Sequence, residues 1–511
     1  MNTLNEYLSL EEFSKIIFNN AELDLSEQVW KRTEESFEFL REFSKNKIIY
    51  GVNTGFGPMA QYRIEEEDCI QLQYNLIRSH ASGIGNPLTP IQVKAAILAR
   101  LNSLSLGYSG VNATVLQLMK ELINRDITPL IFAHGGVGAS GDLVQLAHLA
   151  LVLIGEGEVF YKGERRATQE VFQIEGLKPI EIKIREALSL MNGTSVMTGI
   201  GVVNWVQSRK LLDWSVKISC AINEIVSAYD DHYSQELNHS KLHQGQRNIA
   251  ARMRTYLKGS KLIKKREEHL YTGENQEKIF KDKVQEYYSI RCIPQILGPI
   301  SDTIDQVAKI LEQEINSAND NPIVDVKTQQ VYHGGNFHGD YIALEMDKLK
   351  LVITKLTMLS ERQLNYLLNS KINELLPPFV NLGKLGFNFG MQGAQFTATS
   401  TTAENQALST SMYIHSIPNN NDNQDIVSMG TNAAVLCSKV IENAFEVMAI
   451  ELITLAQAID ALEYQELISD NTRNWYKDIR AIIPVFVGDQ VLYPYINQVK
   501  NYLIESEMQE V

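Results

Sequence analysis

The sequence predicts a mainly α fold, with a large central bundle of long helices and small β-hairpins at its periphery. Three observations predict it. From Asn432 to about Leu462 the chain is mostly apolar, broken by single charges such as Lys439, Glu442, Glu446 and Glu451. A helix apolar around most of its circumference is buried on several sides. From Leu344 to about Leu368, the apolar positions Leu349, Val352, Leu356, Leu359 and Leu367 fall near one helical stripe, and Pro377-Pro378 lies beyond its end. Strand signals are few, and strands do not alternate with helices, which excludes Rossmann and TIM-barrel folds.

In chain order, Thr89-Pro90 reads as an N-cap followed by proline at the first helical position, and IQVKAAILARLNSL continues at helical spacing. A glycine-rich segment precedes a helix that starts near Asp142, with no clear strand before it. The apolar run Leu143 to Ile154 is short for a bilayer and carries Gln145 and His148. GEVFYKG (157–163) and PIVDVKTQQVYHGG (322–335) read as hairpins, and SIPNNNDNQD (416–425) as a polar loop. The expected organisation is an N-terminal lobe over 1–190, a central helical bundle over 191–415 and a helical C-terminal lobe over 416–511.

With 44% apolar and 21% charged residues, the 511-residue chain has the balance of a globular protein. A net charge of -14 disfavours nucleic acid as a partner, because phosphate binding needs concentrated Lys and Arg. The densest basic stretch, Lys261 to Arg266, is followed by Glu267 and Glu268 and reads as a solvated helix face. Cys69, Cys220, Cys292 and Cys437 are far apart and form no CxxC pair, so free thiols are expected. His239 and His243 stand four apart, but without a HExxH glutamate or a third ligand they read as solvated helix residues, and no metal is expected. MNTLNEYLSLEEF lacks the basic region and apolar core of a signal peptide, so a soluble cytoplasmic protein without membrane partners is expected.

The most unusual segment is HGGVGASGDL, 134–143, with glycines at 135, 136, 138 and 141. Such a backbone bends tightly or packs closely. A glycine-rich anion-binding loop is the ordinary reading, but no P-loop Lys-Ser/Thr follows, so no nucleotide is expected. The Ala139-Ser140-Gly141 core permits other chemistry. Attack of the Gly141 nitrogen on the Ala139 carbonyl closes a five-membered imidazolone ring. Loss of water from Ser140 then leaves an exocyclic methylidene. Small flanking residues let the backbone compress that far. The product is a carbon electrophile, which no ordinary side chain provides.

GGVGASGDLVQLAHLALVLIGEGEV resembles the signature of the aromatic amino acid ammonia-lyases, the histidine, phenylalanine and tyrosine lyases and related aminomutases, and the resemblance runs through nearly the whole chain. It implies the ammonia-lyase (fumarase/aspartase-like) architecture. It also implies a 4-methylideneimidazole-5-one prosthetic group formed by autocatalytic cyclisation of Ala139-Ser140-Gly141 in the N-terminal lobe. YGVNTGFG (50–57) resembles the family's mobile loop, in which Tyr50 is the general base. MNGTSVMTG (191–199) resembles the segment whose asparagine, Asn192, contacts the prosthetic ring or substrate amine. VQEYYSIRCIPQ (284–295) matches the segment carrying Gln285, a second tyrosine, Tyr288, and the carboxylate-binding Arg291, whose planar guanidinium suits a carboxylate bidentately. SANDNP (317–322) with Asn321, GGNFHG (334–339) with Phe337 and NQDIVSMG (423–430) with Gln424 complete the set. The resemblance further implies a homotetramer with 222 symmetry, each active site built from three chains.

Substrate choice is expected to lie at Ser79-His80 in LIRSHASG (76–83). Phenylalanine lyases tend to place an apolar Phe-Leu pair there, and His80 suits either a phenolic hydroxyl or an imidazole nitrogen. Histidine lyases usually carry Glu where this chain has Gln424, and a neutral amide pairs less well with imidazole. From MNTLNEYLSLEEF to VLYPYINQVK the chain also resembles flavobacterial tyrosine ammonia-lyases, which share the Ser-His pair. The expected reaction is therefore L-tyrosine to trans-4-coumarate and ammonia. The alternatives are histidine to urocanate and an aminomutase that returns ammonia to the β-carbon.

Overall fold

The structure, a computed structural model, describes residues 2–273, 278–280 and 283–507. It is mainly helical: among the described residues twenty α-helices accompany four small sheets. No described helix is long and apolar enough to cross a membrane. The chain divides into two compact units, each assembled from three stretches. One comprises Met1–Val206, Val307–Asp347 and Ser411–Ser438; the other comprises Gln207–Gln306, Lys348–Thr410 and Lys439–Val511. The sequence reading expects three consecutive lobes instead. Four of the five breaks between the units fall inside the helices Ser195–Ile225, Ile293–Ile315, Asp340–Leu368 and Gly430–Ala461, so the units do not follow chain order.

In the first unit the Pro90–Ser105 helix forms as its sequence dictates. Thr89 Oγ1 accepts from Gln92 N, and the Gln92 side chain accepts from Thr89 N, a capping box with proline at the first position. From Gln92 to Ser105 every residue is buried, Val93, Ile97 and Leu101 completely. The sheets are peripheral. Glu158–Tyr161 pairs antiparallel with Glu164–Ala167 and with Thr128–Pro129, and Ile323–Asp325 pairs with Gln330–Tyr332, matching the two expected hairpins. Two pairings had no local signature. Asn2–Leu4 runs parallel to Leu23–Leu25, and Phe132–His134, directly before the glycine-rich segment, pairs antiparallel with Ile84–Pro87.

The second unit is helical. Gln244–Tyr256 buries Ile249, Ala250 and Met253, and Asp470–Ile482 buries Trp475 and Ile479 behind an N-cap at Ser469. Two local readings need correction here. Lys261–Arg266 is not a helix face: Lys264 N donates to Ala228 O and Lys264 O accepts from Asp230 N, which holds the segment extended. Only Arg266–His269 is helical, and Arg266 pairs with Asp231 at 2.7 Å. His239 ends one short helix, whereas His243 precedes the next as its N-cap. The two histidines therefore do not share a helix face.

Candidate active site

The glycine-rich segment leads from the Phe132–His134 strand into the Leu143–Leu153 helix. Gly138 and Gly141 have φ of 76° and 71°, in the left-handed region. A Cβ on Gly138 would stand 2.1 Å from Ser428 Oγ, and one on Gly141 would stand 2.0 Å from Gly193 O. Both positions therefore require glycine. The segment is pinned on two sides. Ser428 Oγ donates to Gly138 O and Met429 N to Val137 O, both at 3.0 Å, while Asp142 N donates to Gly193 O at 2.8 Å. Ala139, 5% exposed, packs with Val427 and Met429.

Both oxygens of Ser140 have amide partners. Asn192 Nδ2 donates to the carbonyl at 2.9 Å, and Gln424 Nε2 donates to Oγ at 2.8 Å. Asp142 is fully buried. Its carboxylate accepts from Val196 N and Met197 N, each at 2.9 Å, at the start of the Ser195–Ile225 helix, and from the Thr431 hydroxyl. Burial pushes its pKa up to about 6, opposed by those donors. The residues present fit the five-membered ring: small neighbours flank Ser140, Gly141 has left-handed backbone, and side-chain amides hold the central residue.

Tyr50 lies in a loop closed by Gly55 N donating to Tyr62 O and Ile64 N to Asn53 O. Gly51, with φ of 76°, sits where a Cβ would lie 2.4 Å from Leu188. The Tyr50 hydroxyl accepts from Gly57 N at 3.1 Å, and its ring meets Phe56 edge-on at 6.1 Å. An amide donor thus fixes the phenolic oxygen at the wall of a cavity of about 370 Å³. Tyr50, His80, Ser140, Asn192, Asn321, Phe337 and Gln424 all line it. A smaller space of about 250 Å³ shares His80, Ser140 and Gln424.

His80 ends the Cys69–His80 helix. Its Nδ1 lies 3.0 Å from Leu76 O. A carbonyl only accepts, so in the neutral ring Nδ1 carries the hydrogen and Nε2 is an acceptor. Ser79 is exposed and does not line the cavity; its Oγ donates to Leu76 O and lies 3.0 Å from His80 Nδ1, so it steadies the imidazole. Asn321 Oδ1 accepts from Gly334 N at 2.9 Å, tying SANDNP to the segment that carries Phe337.

Gln285, Tyr288 and Arg291 belong to the second unit and do not line the cavity. Gln285 is exposed and Tyr288 is 70% exposed. The Arg291 guanidinium lies 4.8 Å from the Tyr288 ring centroid. Arg291 Nε is buried and has no hydrogen-bond partner among the described residues. Gln363 Nε2 donates to Ser289 O at 2.8 Å and anchors this segment.

Several cavity residues escaped sequence reasoning. Asn420 and Asn423 line the wall from the loop read as merely polar. Asn420, Asn421 and Asp422 have φ of 55°, 53° and 58°, a conformation Asn and Asp tolerate, so the Asn-rich string was the available signal. Leu76, Leu143 and Leu188 supply apolar wall from residues that look like ordinary helix core.

Comparison with known proteins matches the chain to one family. A family model described as aromatic amino acid lyase matches residues 8–481. A histidine ammonia-lyase of Geobacillus sp. (strain WCH70) is 37% identical over 499 residues, spanning 97% of this chain and 95% of the relative. A tyrosine 2,3-aminomutase of Chondromyces crocatus is 36% identical over 503 residues, spanning 97% and 94%. The crystal structure of a tyrosine aminomutase from Streptomyces globisporus superposes with a TM-score of 0.93 at 32% identity, covering 98% of this chain and 95% of that one.

Proposed function

We propose that this chain, which belongs to the aromatic amino acid lyase family, eliminates ammonia from L-tyrosine to give trans-4-coumarate. The observation that carries the proposal is the single cavity that gathers Tyr50, His80, Ser140, Asn192, Phe337 and Gln424, with His80 Nε2 left as a hydrogen-bond acceptor.

Elimination must break a weakly acidic Cβ–H bond and expel an amine, a poor leaving group. The cyclised Ala139-Ser140-Gly141 group supplies the carbon electrophile that assists departure of the amine. The rest falls to side chains. Tyr50, as tyrosinate, takes the β-proton at the oxygen that Gly57 N holds. Asn192 and Gln424 hold Ser140 from two directions before cyclisation, and the Asn192 amide faces the carbonyl oxygen that remains once Oγ has left as water. Phe337, Leu76 and Leu188 offer apolar wall to the substrate ring, and His80 Nε2 accepts its phenolic O–H. Gln424 lines the cavity as a neutral amide, so this position offers no carboxylate to pair with an imidazole substrate.

Replacing His80 with Phe removes the partner of the substrate hydroxyl and lines the pocket with an apolar ring. An unsatisfied buried hydroxyl costs about 1–3 kcal/mol, so the kcat/KM ratio of tyrosine to phenylalanine should fall by roughly 10- to 100-fold. Phenylalanine has no hydroxyl to satisfy and should lose nothing. An unchanged ratio would show that His80 does not read the ring. Wild-type rates with tyrosine, histidine and phenylalanine at equal concentration test the substrate directly, and preference for histidine would overturn it. Chromatography of the products separates coumarate from β-tyrosine, the product expected of an aminomutase.

Arg291 is assigned to the substrate carboxylate. Its buried, unpartnered Nε and the exposed Tyr288 beside it support delivery to the cavity of a neighbouring copy in a homotetramer whose sites are shared among three chains. Arg291→Met should mainly raise KM, because the carboxylate loses its charged partner. Co-expression of Tyr50→Phe chains with Arg291→Met chains should restore part of the activity, since some mixed sites then hold both intact residues. Assayed at a tyrosine concentration well below the raised KM, chains that never complement would contradict shared sites.

A further inference from the structure

We propose that His148 is a positioning residue for recognition of the substrate ring, acting through His80. This rests on the reading above that His80 addresses the ring. His148 lies on the Leu143–Leu153 helix, the element that directly follows Ser140-Gly141-Asp142. Its Nε2 accepts from Gly83 N at 3.1 Å. Only an unprotonated nitrogen can accept, and burial lowers the His148 pKa below the ordinary range, which keeps the ring neutral.

The bond holds the turn on which His80 depends. Three successive amides follow His80. Ala81 N donates to Ile77 O at 3.0 Å and Ser82 N donates to His80 O at 2.8 Å, both within the turn itself. Gly83 N alone of the three reaches the helix that begins beside Ser140. Position 83 is shaped for the approach: a Cβ there would stand 3.0 Å from His148 Nε2 and 3.3 Å from both His134 O and Phe132 Cβ. Phe132 packs edge-on against the imidazole at 5.4 Å. A nearby ion pair, Arg78 on the Cys69–His80 helix to Glu156 beyond the end of the Leu143–Leu153 helix at 2.6 Å, is solvent-exposed and contributes little. The Ile84–Pro87 pairing with Phe132–His134 starts one residue beyond Gly83, and the His148 bond adds the fixed point nearest His80, so it helps set the offset between the imidazole that addresses the substrate ring and the Ser140 segment. His148 itself does not line the cavity.

The test compares His148→Leu, which has no acceptor, with His148→Gln, whose amide oxygen can accept from Gly83 N. Both are assayed on tyrosine and phenylalanine, alone and combined with His80→Phe, and both are checked for the mass of the cyclised group. His148→Leu should lower the tyrosine-to-phenylalanine kcat/KM ratio about tenfold, chiefly through KM for tyrosine, with phenylalanine kinetics within about threefold of wild type. His148→Gln should keep the ratio near wild type. In the His80→Phe background, His148→Leu should change the ratio no further, because the effect passes through His80.

Equal loss on both substrates, or additive loss in the double variant, would mark a general structural role and overturn the proposal. If His148→Leu does not fold, His148→Gln still decides: a ratio as low as that of His80→Phe shows that hydrogen-bond acceptance is not what matters. A ratio moved by His80→Phe and not by His148→Leu sinks this inference alone. A ratio unmoved by His80→Phe sinks the reading of His80, and this inference with it. Should wild type prefer histidine, the same variants assayed on histidine and phenylalanine give the same decision.

Discussion

Tyr50→Phe is expected to lower kcat by roughly 100- to 10,000-fold, the usual worth of a positioned general base. The change removes one oxygen. The phenyl ring keeps its edge contact with Phe56, and the group left without a partner is Gly57 N, at the rim of a cavity that water can enter. The cost in stability is about 1 kcal/mol or less. The loss should therefore fall on kcat, with the melting temperature and the mass of the cyclised group unchanged. Stopped-flow or steady-state release of coumarate reads the effect. Turnover near wild type would remove Tyr50 as the base. A lowered melting temperature in step with the lost rate would instead assign it a structural role.

Ser140→Ala is expected to reduce turnover by about 1,000-fold or more, since the electrophile acts with the base as a unit and not as an increment to it. Without Oγ no water can leave the side chain, so no methylidene forms and the chain can lose at most one water. The fold should survive, because that side chain takes part in one hydrogen bond, accepted from Gln424 Nε2. Binding should survive too, because Tyr50, His80 and Phe337 are untouched. A variant that retains substrate affinity in a calorimetric titration while losing elimination is the expected result. Retained elimination would show that another group supplies the electrophile.

Much of this site was legible because its chemistry is confined to short strings. Ala139-Ser140-Gly141 is contiguous, and its small residues declare a backbone that must compress; Gly138 and Gly141 then prove to be positions where a Cβ would strike Ser428 and Gly193. The Pro90–Ser105 helix was legible for the same reason, its cap being written in four consecutive residues. What stayed hidden depends on partners distant in sequence. Asp142 marks the start of a helix in the sequence, yet its side chain caps a different helix, through Val196 N and Met197 N. Asn420 reads as loop until folding brings it to the cavity beside Tyr50. Lys264 reads as one of a run of solvated charges until its backbone pairs with Ala228 and Asp230. Gln285, Tyr288 and Arg291 are recognisable by resemblance, but they do not line the cavity of the first unit.

The intact mass of an active preparation is the most direct measurement. The expected mass is that of the 511-residue chain less two waters, with fragmentation placing the whole loss within residues 139–141. A preparation that converts tyrosine to coumarate while carrying an unmodified Ala139-Ser140-Gly141 would contradict the self-formed electrophile on which the proposed reaction depends.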